Sequence, residues 1–171
     1  MGLPIRTSLT IGIPRPLARH GLGWIPEVAP VTPTAHCRDF QDLDFPAVQA
    51  LWLATGLGAP ERGDDLAQIR RTLAQGGRLL VLEEPGGALA GTAWLTQDGR
   101  RSYLHHFGIR PDLQGRGLGR QLMAAVLEVA RPLGLQLKLE VGHANVRAQD
   151  LYRRHGFQQV GDYDVLIIRK F

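Results

Sequence analysis

Cysteine is almost absent from this chain: Cys37 is the only one in 171 residues. A single thiol forms no internal disulfide, and C-x-x-C metal ligation is excluded by the same count. No stretch approaches the roughly 18 consecutive apolar residues of a membrane-spanning helix. The N-terminus also lacks the roughly 7–15-residue apolar segment that follows the basic residues of a secretory signal. Lysine is scarce, with Lys138 and Lys170 the only two among 20 basic residues. Aromatic residues make up 6% of the chain, too few to line a strand as a base-stacking platform. These absences predict a cytoplasmic protein with no membrane, nucleic-acid or metal partner.

The net charge of +4 does not reverse that reading. Residues 1–33 carry three Arg and one Glu, so residues 34–171 hold 17 basic and 15 acidic side chains. A domain so nearly balanced, with no Lys/Arg run, is not a phosphate-backbone binder by charge. What the chain does have is 44% hydrophobic and 21% charged residues, enough for one domain with a real core.

Proline divides the chain. Six of its 11 prolines fall in residues 1–33, where each fixes φ and removes a donor. The expectation is a Pro-rich extended tail over 1–33, with Leu9, Ile11 and Ile13 as a short edge strand, and a folded domain over 34–171. There, a strand near Thr34–Arg38 precedes a helix opened by Asp44, with Phe45, Val48, Leu51 and Trp52 on one face. Thr55–Gly63 reads as a loop, and Asp64 as the cap of a second helix carrying Leu66, Ile69 and Leu73. Arg78–Glu83, Ala88–Gln97 and Arg101–Ile109 form a meander turned by Glu84–Gly87 and by Asp98-Gly99.

A third helix follows, to about Arg131, stopped by Pro132 and Gly134. Leu135, Leu137, Leu139 and Val141 alternate with Gln136, Lys138 and Glu140, a half-buried strand. Asn145–His155 is a helix ended by Gly156, and Phe157–Val160 and Tyr163–Lys170 are closing strands. The predicted order is β-α-α-β-β-β-α-β-α-β-β, an α/β (α+β) mixed sheet with helices on its faces.

Gln114-Gly115-Arg116-Gly117-Leu118-Gly119 lies between a strand and a helix N-terminus. Glycines at alternate positions let the backbone approach a ligand, and the free N–H groups of the first turn point at an anion. Arg110, Arg116 and Arg120 add positive charge, so a pyrophosphate is the natural guest. A Walker A loop is excluded, since no Gly-Lys pair exists here. A dinucleotide fold finds Gly115, Gly117 and an acid at Glu140. Against it, the third position is Arg120, and Arg110–Gln114 separates strand from glycines. A nicotinamide enzyme remains an alternative.

The same turn, after Arg110-Pro111-Asp112-Leu113, resembles the [R/Q]-x-x-G-x-[G/A] signature of the GNAT N-acetyltransferase superfamily, with Gln114, Gly117 and Gly119 matching. Downstream, Asn145-x-x-Ala148-x-x-Leu151-Tyr152-x-x-x-Gly156-Phe157 is similar to the family's second signature. The resemblance covers roughly residues 34–171. It implies the GNAT acyl-CoA N-acyltransferase fold, acetyl-CoA as co-substrate, and acetyl transfer from thioester to amine in a ternary complex. It also implies a monomer or homodimer, and leaves a non-catalytic CoA-binding relative as a further alternative.

By that resemblance, the backbone of Phe107, Gly108 and Ile109 is expected along the pantetheine arm. The N–H groups of Gly115, Arg116, Gly117, Leu118, Gly119 and Arg120, with Gln114, would hold the pyrophosphate. Tyr152 matches the family's acid for the leaving thiolate, since a phenol with a pKa of about 10 is protonated at pH 7. Asn145 would bond the cofactor arm or a water, or serve as a helix N-cap.

The amine must also lose a proton. Strand parity places Tyr103, His105, Phe107 and Ile109 on one face and Leu104, His106 and Gly108 on the other. The resemblance implies a His on this strand facing the amine in some members, and its motif register puts Tyr103 and His105 there. His105 is therefore the candidate base and His106 a structural residue, with Glu140 and Glu83 as fallbacks and water as the further alternative. No metal site is expected from His143 or His155. The acceptor amine, its identity open, should enter near Thr55–Asp65, where Glu61, Asp64 and Asp65 would attract a cation.

Overall fold

The computed structural model describes residues 35–58, 63–161 and 165–168. The predicted tail over 1–33 lies outside the described residues, as do Glu61 and Arg62 of the expected acceptor loop. Nine elements follow in order: β1 (His36–Asp39), α1 (Phe45–Thr55), α2 (Leu66–Ala74), β2 (Arg78–Glu83), β3 (Leu89–Gln97), β4 (Arg101–Ile109), α3 (Leu118–Ala130), β5 (Gln136–Leu139) and α4 (Val146–Arg154). They build one five-stranded sheet in the order β1-β2-β3-β4-β5. Every pair is antiparallel except β4 with β5, the parallel pair reached through α3.

Both faces of the sheet are covered, which is why β2 and β3 read as nearly continuous apolar runs. In β2, Leu80 and Leu82 face one core with Leu122, Met123 and Val126 of α3. Leu79 and Val81 face the other, with Val48, Leu51 and Trp52 of α1 and Ile69 of α2. The period-2 alternation of one strand thus feeds two cores. No described helix is long and apolar enough to cross a membrane.

Three expectations are corrected. The cap of α2 is Asp65, whose side chain accepts from the Gln68 N–H at 2.7 Å, and not Asp64. The strand read over 135–141 is laddered only at Gln136–Leu139, because β4 and β5 part beyond that point. The two closing strands are not seen among the described residues. The Phe157 and Gly156 N–H groups bond Tyr152 O and Arg153 O, a Schellman cap that commits both to the end of α4. Phe157-Gln-Gln-Val160 has no alternation to give it an apolar face, and Val160 is 75% exposed. Residues 165–168 carry no ladder either and leave four apolar side chains in solvent, while the rest of Tyr163–Lys170 lies outside the described residues.

Candidate active site

β4 changes character along its length. Ser102–Leu104 pair with β3 on one side, and Arg101–Leu104 with Gln136–Leu139 on the other. Past Leu104 the register with β3 shifts, from Trp94↔His105 to Thr92↔Gly108, so His106 and Phe107 stand opposite Ala93 alone. This is a β-bulge, with His106 at φ +46°.

The bulge overturns the parity expected for this strand. Leu104 and Ile109 lie in the α3 core with Phe107 packed against it, so Leu104 and Phe107 share a face. His105 and His106 share the other face: His105 is laddered to Trp94, and the His106 ring lies 4.2 Å from Trp52 and 5.4 Å from Trp94. Gly108 is on that face too, where an added Cβ would meet Leu57 at 2.6 Å.

Two hollows meet at this histidine pair. A cleft of about 380 Å³ opens where β5 leaves β4, lined among others by Tyr103, Phe107, Glu140, Asn145 and Tyr152. A smaller hollow of about 190 Å³ lies toward α2, against Asp64, Gln68, Thr72, Trp94 and Thr96. His105 and His106 line both. The Arg110 N–H bonds Ala90 O, so strand alternation turns the main-chain groups of Phe107 and Ile109 away from β3, toward the parting.

Tyr152 stands in the cleft at 8% exposure, edge-on to Phe107 and Phe157 at 5.8 and 5.7 Å. Burial pushes its phenol up to about 12, so it is protonated throughout the neutral range. His105 is exposed at one edge and stacked on Tyr103, with Nε2 2.9 Å from Thr96 Oγ1. Desolvation by the surrounding protein lowers its pKa below the ordinary 6.5, against the opposing pull of Glu140 and Asp64.

Asn145 is the N-cap of α4, its Oδ1 accepting from Ala148 N–H at 3.1 Å, and it also lines the cleft. The two fallback carboxylates separate: Glu140 is at the cleft, whereas Glu83 is ion-paired to Arg38 across β1 and β2.

The glycine turn is at the end of β4. Gly115 and Gly117 have φ of +87° and +86°, and a Cβ on Gly117 would stand in open space. Gly117 is the N-cap of α3 with no side-chain cap, so the first-turn N–H groups of Leu118 and Gly119 have no partner within the helix. Gln114 ties this turn to the strand, donating to Ile109 O at 3.0 Å. Arg116 and Arg120 are exposed beside it, but Arg110 is spent on Glu84 and Asp112. Two contacts escaped the sequence reading, which named Asp64 only as a cap and as an attractor of the amine. Arg147 of α4 reaches over the turn, its Nη2 3.3 Å from where a Gly115 Cβ would sit. Asp64 Oδ2 lies 3.0 Å from His106 Nε2. Neither contact has a local signal, since each joins segments tens of residues apart.

Residues 43–157 match the family model described as Acetyltransferase (GNAT) family. The chain belongs to that family. It is 33% identical over 144 residues to a mycothiol acetyltransferase of Clavibacter michiganensis subsp. michiganensis, covering 82% of this chain and 47% of that one. It is 40% identical over 106 residues to the N-alpha-acetyltransferase RimI of Mycobacterium tuberculosis, covering 58% and 66%. The chain thus spans about half the length of the mycothiol acetyltransferase it matches. Among solved structures, a GNAT-family acetyltransferase from Staphylococcus aureus Mu50 superposes with a TM-score of 0.68 at 16% identity, over 78% of this chain and 90% of that one. That likeness shows the fold.

Proposed function

We propose that this chain is an acetyl-CoA-dependent N-acetyltransferase acting on a primary amine. The observation that carries the reading is the parting of β4 from β5, which opens a cleft onto both Tyr152 and His105 at the end of the strand that leads into the glycine turn. The residues present fit the co-substrate. An open, uncapped turn with space over Gly117 suits a pyrophosphate, and the freed edge of Phe107–Ile109 suits an amide-bearing arm. Gly115 through Arg120 would hold the phosphates, with Gln114 fixing the turn and Asn145 facing the arm. Acetyl-CoA bound there supplies an activated acyl group.

The protein supplies the proton handling. An alkyl ammonium, with a pKa of about 10, is no nucleophile until it loses a proton. His105, its pKa held below 6.5, is neutral at pH 7 and able to take that proton, directly or through water. Tyr152 holds its phenolic proton until a thiolate needs it. The names of the relatives supply the first acceptors to try, mycothiol-related amines and peptide α-amines.

Thermal shift with acetyl-CoA, CoA and NAD tests the reading. Ligand at about 100 times its dissociation constant adds roughly 2.7 kcal/mol, several degrees for a domain of this size. A shift with acetyl-CoA and none with NAD is expected, followed by thiol release in an amine screen. A shift with NAD alone would restore the dinucleotide alternative. Binding without turnover on any amine would favour the non-catalytic one.

A further inference from the structure

His106 is the one non-glycine residue among those described whose φ is positive. An L-residue does not rest in that conformation unless its surroundings over-determine it. Here they do. The imidazole, 9% exposed, lies against the Trp52 and Trp94 rings, and its Nε2 is 3.0 Å from Asp64 Oδ2. The His106 carbonyl accepts from Thr92 Oγ1 at 2.9 Å, and that hydroxyl in turn accepts from Trp52 Nε1 at 2.9 Å. α1, β3 and the segment leading into α2 therefore all hold one residue. Asp64 is available for this because the adjacent Asp65 does the capping.

What they hold in place is the bulge. It turns His106 onto the α2 face beside His105 and Phe107 onto the Tyr152 face, and it begins where the β5 ladder stops. We propose that Asp64 and His106 are positioning residues: their contact keeps β4 bulged, and the bulged strand is the form that takes the acetyl-CoA arm. This rests on the N-acetyltransferase reading.

The test compares the parent with His106→Asn, His106→Val, Asp64→Ala and the double variant Asp64→Ala/His106→Asn. Acetyl-CoA affinity is read by calorimetry, and the main-chain φ of residue 106 by its NMR amide–Hα coupling. Asparagine accepts the left-handed region, whereas β-branched valine resists it. Only molecules holding the bulge bind, so affinity falls with their fraction. His106→Val is expected to weaken acetyl-CoA about tenfold, and Asp64→Ala in the same direction.

His106→Asn should stay within about twofold of the parent, and adding Asp64→Ala to it should cost nothing more. The φ of residue 106 should leave the positive region in Asp64→Ala and stay positive in His106→Asn. If His106→Val does not fold, Asp64→Ala carries the same expectation against the double variant. Parent-like affinity in Asp64→Ala overturns the proposal, and so does an equal loss from Asp64→Ala on the two backgrounds. If the parent itself ignores acetyl-CoA, the N-acetyltransferase reading fails. The φ of residue 106 then decides alone, and a φ still positive in Asp64→Ala sinks the clamp.

Discussion

The first half of β4 is structure and the second half is site. Ser102–Leu104 have neighbours on both sides, and Ser102 and Leu104 are 1% and 5% exposed. His105–Ile109 keep β3 but lose β5 and carry the bulge, and His105, His106 and Phe107 border the cleft with partly exposed side chains. The strand is continuous and its composition hardly changes. The difference lies in what its edge is paired with. A ladder satisfies main-chain groups internally, whereas an edge left open inside the fold must be satisfied by something else. A sheet that parts in this way has prepared an extended slot for a chain-like ligand at the cost of local hydrogen bonding.

Breaking the second half should abolish chemistry and leave the fold. The largest effect is expected from Tyr152→Phe. Phenylalanine keeps the packing against Phe107 and Phe157 but has no proton to give. Turnover should fall about 10³-fold, close to 4 kcal/mol of barrier, with acetyl-CoA affinity retained. Thiol-release kinetics beside calorimetry separates the two, and an unchanged rate would remove Tyr152 from the acid role. Breaking the first half should do the reverse. Leu104→Ala truncates a 5% exposed side chain in the α3 core and should cost about 3 kcal/mol in denaturant unfolding. Leu104 also borders the cleft, so the rate per folded molecule should fall far less than in Tyr152→Phe, and an equal rate loss would mean the halves are coupled.

His105→Gln should cost about 10²-fold in turnover, a smaller barrier change than the tyrosine because water can replace a base more easily than an acid held dry. Its pH dependence sharpens the point. On the proposed reading the neutral imidazole is the active form, and desolvation holds its pKa below 6.5. Activity should therefore rise with pH along a limb centred below 6.5 and be lost as pH falls through it. In His105→Gln that limb should vanish. Tyr152, pushed up to about 12, should add no alkaline limb below that pH.

The same contrast explains what could be read in the sequence. Elements set by local periodicity or capping were legible: the β2–β3–β4 meander, α3 behind its glycines, and α4 between Asn145 and Gly156. Tyr152 was legible because its helix motif fixes its place. The bulge was not, because the parity rule presumes a regular ladder and nothing in Tyr103–Ile109 marks where the register slips. Asp64 and Asp65 were indistinguishable as caps until a partner forty residues on, His106, took one of them. The closing strand read over Phe157–Val160 failed for a related reason. Apolar residues announce a strand, but a strand also needs an edge to pair with, and Phe157 is already committed to the cap of α4.

Asn145 should give the smallest effect and the finest discrimination, because it belongs to both regions' logic at once. Its Oδ1 caps α4 through Ala148 N–H, a structural duty, and its side chain lines the cleft, a functional one. Asn145→Ala removes both and should destabilise by about 1 kcal/mol. Asn145→Asp keeps a capping oxygen, and its charge suits a helix N-terminus, so stability should return to the parent's. It does not restore the amide donor. If acetyl-CoA affinity recovers together with stability in the aspartate variant, Asn145 acts by placing Tyr152 through the start of its helix. If stability recovers and affinity does not, the amide itself meets the ligand, and the cap and the contact are separate properties of one side chain.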